Sequence, residues 1–215
     1  MKPLALITGG GGALATALRS LLAADEWTVH SPGHDDMDVT DPARIRDYFA
    51  ALPRLDLLIN NAAIRRDALL ADQPEAERNA VIDTTLGGAW LCSRAAIPIM
   101  SAQGSGHIIH IGSHSARGVA GQTAYAAAKA GLEGLTRSMA ATCGPANIRI
   151  NTVLPGWLET PFTATVPPHA AARALAAHHL GRFNTVHDAA RFIIFLHSMS
   201  AVSGQIFQLD SRSEA

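Results

Sequence analysis

Short apolar runs alternate along this chain with longer amphipathic stretches, regularly enough to predict an architecture before any chemistry is considered. Leu4 to Thr8 is too short for a helix and almost wholly apolar, so it is expected to be a buried strand. A helical pattern follows from Ala13 to Ala24, then a second strand from Trp27 to Ser31. Asp41-Pro42 offers an N-cap and a first-turn proline for a helix reaching about Leu52. Leu55 to Ile59 is the next strand. Helical residues run from about Glu75 to Gln103, interrupted by Gly87-Gly88 and by Pro98, and His107 to Gly112 is again a strand. An alanine-rich helix then extends to about Thr142, and a strand from Ile148 to Leu154 is broken by Pro155-Gly156. Mixed loop and helix from Trp157 to Gly181, a helix from about Val186 to Ser198 and a strand from Gln205 to Leu209 complete the chain. Strands apolar on both faces, alternating with helices, imply an α/β fold with a doubly wound parallel sheet covered on each side. One step is irregular: the space between the second strand and Asp38-Val39 is too short for a crossover helix. The helix between strands two and three is therefore expected to be shortened or missing. No repeat or low-complexity linker divides the 215 residues, so 1–215 is read as a single domain, with 157–181 as a substrate lid.

Composition removes several function classes. Net charge is −1 with scattered arginines, which leaves no basic stripe for nucleic acid and no polybasic patch for a membrane. The ten histidines are dispersed, and the adjacent His178 and His179 point in different directions on a helix, so no metal site is expected. Cys92 and Cys143 lack CxxC spacing and read as reduced, buried thiols. The opening MKPLALITGG carries an apolar run too short for a signal peptide or a membrane span, and a cytoplasmic protein is expected.

The candidate chemistry sits where strands end. Gly9 to Gly12 follow the first strand and precede a helix, and in that setting Gly10-x-Gly12-x-x-Ala15 fits a dinucleotide fingerprint. Glycines permit the tight turn and a close approach of backbone to a diphosphate, and the helix N-terminus offers free N–H groups. The second strand ends in His30 and Ser31, with no carboxylate at its tip although Asp35, Asp36 and Asp38 follow. Asn60-Asn61-Ala62-Ala63 and Ser113 end two further strands. Tyr125 and Lys129 lie four residues apart and share one helical face. Only Lys2 and Lys129 occur in a chain that otherwise uses arginine, and a titratable ammonium is expected to draw a neighbouring phenol down from its usual pKa of about 10.

Taken in order, Thr8-Gly9, Asp38-Val39, Asn60 to Ala63, Gly112-Ser113, Tyr125-x-x-x-Lys129, Asn151, Pro155-Gly156 through Thr160 and Gly204-Gln205 through Asp210 resemble the landmarks of the short-chain dehydrogenases/reductases over nearly the whole chain. The resemblance implies a single Rossmann-like domain using NAD or NADP to transfer a hydride between the nicotinamide and a small alcohol or ketone. It implies Tyr125 as catalytic acid/base, Ser113 as polariser of the substrate oxygen, and Lys129 as ligand of the nicotinamide ribose. Cofactor contacts are expected from Thr8, Gly9, Gly10, Gly12, Ala13, Leu14, His30, Ser31, Asp38, Val39, Asn61, Ala62, Ala63, Pro155, Gly156, Leu158 and Thr160. The bare tip of the second strand leans the expectation towards NADP. The family commonly pairs the helix of Ala126, Ala127, Ala128, Gly131 and Gly134 with a second copy, so a homodimer or homotetramer is expected.

Three departures stand out. Ala13 and Ala15 occupy glycine positions of the family's commonest loop, and the spacing of Gly9, Gly12 and Ala15 is nearer that of nucleotide-sugar-modifying relatives. Thr85 stands where the family carries an active-site asparagine that relays protons. Ser113 precedes the tyrosine by 12 residues, one fewer than the family usually shows, with Arg117 to Gly121 absorbing the deletion. Two alternatives follow: a nucleotide-sugar epimerase or reductase, for which little chain remains after Gly156, and a nonenzymatic dinucleotide-binding sensor, which the retention of Ser113, Tyr125 and Lys129 opposes. Trp157, Leu158 and Phe162 read equally as pocket lining or lid core. His114 and Ser115 face either substrate or solvent.

Overall fold

The structure, a computed structural model, describes residues 2–212. Six parallel strands form one sheet: β1 (Leu4–Ile7), β2 (Thr28–His30), β3 (Leu57–Asn60), β4 (Gly106–Ile111), β5 (Ile148–Leu154) and β6 (Ile206–Gln208), in the order β2-β1-β3-β4-β5-β6. The α-helices among the described residues are α1 (Ala13–Ala24), α2 (Pro42–Ala50), α3 (Glu75–Ile82), α4 (Gly88–Gln103), α5 (Thr123–Cys143), α6 (Pro168–Ala176) and α7 (Val186–Ser198).

The side-chain period of two sorts each strand between two cores. Leu4, Leu6, Leu58, Ile108 and Ile150 face one side, where Phe49 of α2 and Cys92, Ala96 and Met100 of α4 pack. Ala5, Ile7, Leu57, Ile59, Ile109 and Val153 face the other, against Leu18 and Leu22 of α1 and Ile193 and Leu196 of α7. Both cysteines are free and buried, and desolvation pushes the Cys92 thiol up to about 12, so it is inert at neutral pH.

No crossover helix lies between β2 and Asp38-Val39. Residues 33–40 form turns rather than a helix, and Asp38-Val39 is no strand, so β2 stands at the sheet edge. Local capping explains why. The Asp38 carboxylate accepts hydrogen bonds from the backbone N–H (2.9 Å) and hydroxyl (2.8 Å) of Thr40, and Asp41 caps α2 through the N–H groups of Ala43 and Arg44. Met37 and Val39 fold inward and join the core on the α2 side of the sheet. The glycine pair at 87–88 also has a structural reading: Asp83–Gly87 form a π-helical turn between α3 and α4, and Gly88 packs on Val39. Pro98 is accommodated within α4.

Strand order reverses between β2 and β3 around β1. That is the switch point at which the C-terminal strand ends leave a crevice.

Candidate active site

The tips of β1 and β3 are tied together before the glycine loop begins. The Thr8 hydroxyl accepts hydrogen bonds from the backbone N–H groups of Asn61 and Ala62, both at 3.0 Å, and the Asn61 amide donates to the carbonyls of Thr8 (3.0 Å) and Gly9 (3.3 Å). A Cβ on Gly10 would lie 2.0 Å from the Ser31 carbonyl oxygen, so no side chain fits there without moving the β2 tip. α1 starts after Gly12 with no side-chain cap and no acidic residue in its first turn. Its free N–H groups open on a cavity lined by Gly9, Gly12, Ala13 and Leu14. An uncapped, acid-free helix start behind a glycine cradle fits the diphosphate of a dinucleotide.

On the other side of the cavity Ser113 extends from the end of β4, and Tyr125 and Lys129 occupy one buried face of α5, at 8% and 3% exposure. The Ser113 hydroxyl hydrogen-bonds that of Tyr125 and also accepts the N–H of Ser115 at 3.1 Å. The Lys129 ammonium donates to the Ile111 carbonyl at 2.5 Å and lies 5.5 Å from the centre of the Tyr125 ring. Burial pushes the Tyr125 hydroxyl up to about 12, opposed by the Ser113 hydrogen bond and the Arg65 charge, and pulls Lys129 down to about 7. The downward pull on the phenol expected from the sequence is therefore corrected. Lys129 faces the ring and a carbonyl rather than the phenol oxygen, and desolvation dominates. The result is a tyrosine protonated at neutral pH beside a second hydroxyl.

Behind Lys129 lies a buried polar group. The His110 ring, which burial holds neutral with a pKa of about 3, meets the Asn60 amide at 3.2 Å, and that amide donates to Ser93 at 3.0 Å. The Thr85 hydroxyl, in the π-helical turn, is buried without a protein hydrogen-bond partner among the described residues, as are Asn60 Oδ1 and His110 Nε2.

The cavity encloses about 1480 Å³, more than the ~300–1,000 Å³ usual for one drug-sized ligand. Asn61, Ala62, Ala63, Pro155, Gly156, Leu158 and Thr160 line it with the residues above. Not every expected contact does. Thr8 and Gly10 support the loop from beneath; the His30 ring meets the Tyr48 hydroxyl at 3.3 Å; the Ser31 hydroxyl is buried without a partner; Asp38 caps Thr40 and Val39 is core. At this end Gly33 and His34 line the wall instead. Thr85 is off the wall as well. Phe162 and Trp157 divide the even reading made of them: both line the cavity, but the Phe162 ring lies 6.1 Å from that of Tyr125, whereas Trp157 stacks on Phe183 at 5.1 Å. His114 and Ser115 line the wall.

The sequence reading missed two features of this site. Arg65 lies over the Phe162 ring at 5.2 Å, donates to the Thr165 hydroxyl at 3.0 Å and pairs with Asp67 at 3.1 Å, linking the loop after β3 to the segment after β5. Asp210 contacts the buried His178 at 3.7 Å and pairs with Arg212, so the segment after β6 holds the residues following α6. No local pattern marks the contacts of Arg65 with Phe162 and Thr165 or of Asp210 with His178, since those partners lie far apart in sequence.

Sheet topology, uncapped glycine loop and the Ser113, Tyr125 and Lys129 set define a dinucleotide-dependent oxidoreductase of the α/β class. A family model described as enoyl-(acyl carrier protein) reductase matches residues 22–211. The chain is 35% identical to the 3-oxoacyl-[acyl-carrier-protein] reductase FabG of Thermotoga maritima, with 95% of each chain covered. It is 34% identical to carbonyl reductase family member 4 of Danio rerio, over 98% of this chain and 97% of the relative. It is 31% identical to the short-chain reductase protein NovJ of Streptomyces niveus, over 91% and 87%. The chain belongs to the short-chain dehydrogenase/reductase family and is an NAD(P)-dependent oxidoreductase. The nucleotide-sugar and sensor alternatives are not favoured, and no helix among the described residues is long and apolar enough to cross a membrane.

Proposed function

We propose that this protein reduces a small ketone to the alcohol with NADPH, Tyr125 giving the proton. The observation that carries this reading is the Ser113–Tyr125 hydroxyl pair, on the wall of a cavity that also opens on the glycine loop. Gly9, Gly12, Ala13 and Leu14 would cradle the cofactor diphosphate, with Gly10 supporting the loop from beneath. Asn61, Ala62 and Ala63, with Pro155, Gly156, Leu158 and Thr160, would hold the remainder. The bound nicotinamide supplies the hydride. Negative charge then grows on the carbonyl oxygen, which Ser113 stabilises by donating a hydrogen bond and Tyr125 quenches by giving up its proton. Burial keeps the phenol protonated at neutral pH, the state in which it can give a proton to the carbonyl oxygen. Lys129 would hold the ribose hydroxyls, and Thr85, with its unsatisfied hydroxyl, would seat a water that returns the proton. Residues 157–181 serve as the lid.

The lean to NADP rests on where the carboxylates go. Asp36 is engaged by the Gly33 N–H at 3.0 Å and Asp38 by Thr40, while the one acidic side chain among the described wall residues is Asp67, which pairs with Arg65. His34 lines the wall with its Nδ1 3.8 Å from the Asp38 carboxylate, which leaves its Nε2 to donate to a 2′-phosphate. The names of the relatives make simple carbonyls and 3-oxoacyl thioesters the first substrates to try. Ala127, Ala130 and Gly134 are exposed on α5 and leave a flat face for a second copy, in keeping with a homodimer or homotetramer in the cytoplasm. The test is consumption of NADPH and NADH against a panel of ketones and 3-oxoacyl thioesters, with Tyr125→Phe as control. Turnover is expected with NADPH. Turnover undiminished in the Phe variant would remove Tyr125 from its role, and NADH binding tenfold tighter than NADPH would overturn the cofactor lean.

A further inference from the structure

Helix α6 carries charge that the reading above does not use. His169 and Arg173 lie one turn apart on its cavity side, with Ala170, Ala174 and Ala177 beside them as an apolar floor. Other cations on this wall are engaged: Arg65 by Asp67, Arg212 by Asp210, Lys129 by the Ile111 carbonyl. Neither Arg173 nor His169 has a hydrogen-bond or ion-pair partner among the described residues. No acidic residue occurs between Glu159 and Asp188, so nothing on the segment can neutralise them locally. Both are exposed, placing the charge at the rim rather than beside the reacting hydroxyls.

We propose that the substrate carries an anionic group, a carboxylate or a phosphate, distal to its carbonyl, and that Arg173 with His169 receives it at the cavity rim. This rests on the ketone-reductase reading. The apolar face of Ala170, Ala174 and Ala177 takes the connecting chain, and the guanidinium presents a forked donor set matched to a carboxylate or phosphate. Two sources share this chemistry. A free oxo acid brings its own carboxylate, and an oxoacyl thioester brings the phosphate of its carrier arm.

The test compares kcat/KM with NADPH for levulinate, 5-oxohexanoate and 7-oxooctanoate, each against its methyl ester, and for acetoacetyl-coenzyme A against the uncharged acetoacetyl-N-acetylcysteamine. The wild type is expected to prefer the charged member of at least one pair. That preference should fall about fivefold in Arg173→Gln, chiefly through KM, as expected for an exposed pair, and be largely restored in Arg173→Lys. It should also shrink as salt is raised in the wild type, a readout independent of whether the variant folds. A preference confined to the acids identifies the carboxylate source, and one confined to the thioesters the phosphate source. Equal use of charged and neutral members, or a ratio unmoved by both Arg173→Gln and salt, overturns the proposal. Calorimetric titration of the same pairs separates the two levels of reading. Tighter binding of the charged member without turnover overturns the reductase reading and supports the anion site, whereas equal binding overturns the site.

Discussion

Burial works against Lys129, whose ammonium is held down to about 7 from 10.5, so the folded chain carries a strained charge for the sake of its position. At pH 6 the lysine is charged in both folded and unfolded states, and the full penalty, on the order of 4–5 kcal/mol, applies. Between about 7 and 10.5 the folded state releases the proton that the unfolded state keeps, and stability contributed by this residue rises with pH. Lys129→Met is therefore expected to abolish turnover yet raise the melting temperature, by roughly 5–10 °C at pH 6 and by less at pH 9. Melting curves of both proteins at the two pH values check this, and a lower Tm at pH 6 would show that the Ile111 hydrogen bond outweighs the buried charge. Tyr125→Phe removes a proton donor and little packing: kcat should fall by ~10²–10⁴ with NADPH affinity within a few-fold, read by stopped-flow turnover and fluorescence titration. Thr85 offers one hydroxyl donor where an amide offers two. Thr85→Asn is expected to raise kcat about twofold to fivefold and reduce the solvent deuterium isotope effect, and an unchanged isotope effect would separate Thr85 from proton delivery.

Among the elements, the segment after β5 takes its position from contacts remote in sequence. Gly156 has a φ of +82°, and a Cβ there would lie 2.8 Å from the Cβ of Asp210, the residue that holds the end of the α6 segment through His178. Gly156→Ala combines backbone strain with that collision. Substrate KM should rise about tenfold while the Tm falls by only a few degrees, because the two cores under the sheet are untouched. Steady-state kinetics beside a thermal melt distinguish this from general unfolding, which would lower both together. Asp210 itself is stabilised as a carboxylate: burial raises its pKa, but hydrogen bonds from Arg212 and Gln208 outweigh it.

For the whole molecule, cofactor binding and folding are linked. A ligand that binds only the folded state at about a hundred times its Kd adds ~2.7 kcal/mol, so saturating NADPH should raise the Tm by roughly 5–10 °C. Gly10→Val, whose first side-chain atom would meet the Ser31 carbonyl, should lose that increment along with intrinsic stability. A variant that keeps the full increment would show that the loop is not where the dinucleotide binds.

What the sequence determined by itself is what repeats locally. Strands buried on both faces must be apolar along their length, so Leu57–Asn60, Gly106–Ile111 and Ile148–Leu154 could be placed within two residues, and their alternation with helices dictated a parallel sheet. Glycine spacing after β1 and the four-residue step from Tyr125 to Lys129 are likewise fixed by backbone geometry over a single turn. Tertiary structure alone decided the rest. The turn at Asp38 to Thr40 depended on a side-chain cap closing the backbone there and on Met37 and Val39 finding a core to enter. The Tyr125 pKa moved up rather than down because desolvation depends on everything packed around the ring, while the sequence displays only the nearby charge. Arg65 on Phe162 and Asp210 beneath Gly156 join residues far apart in the chain, and only packing, which local pattern does not encode, brings such groups together.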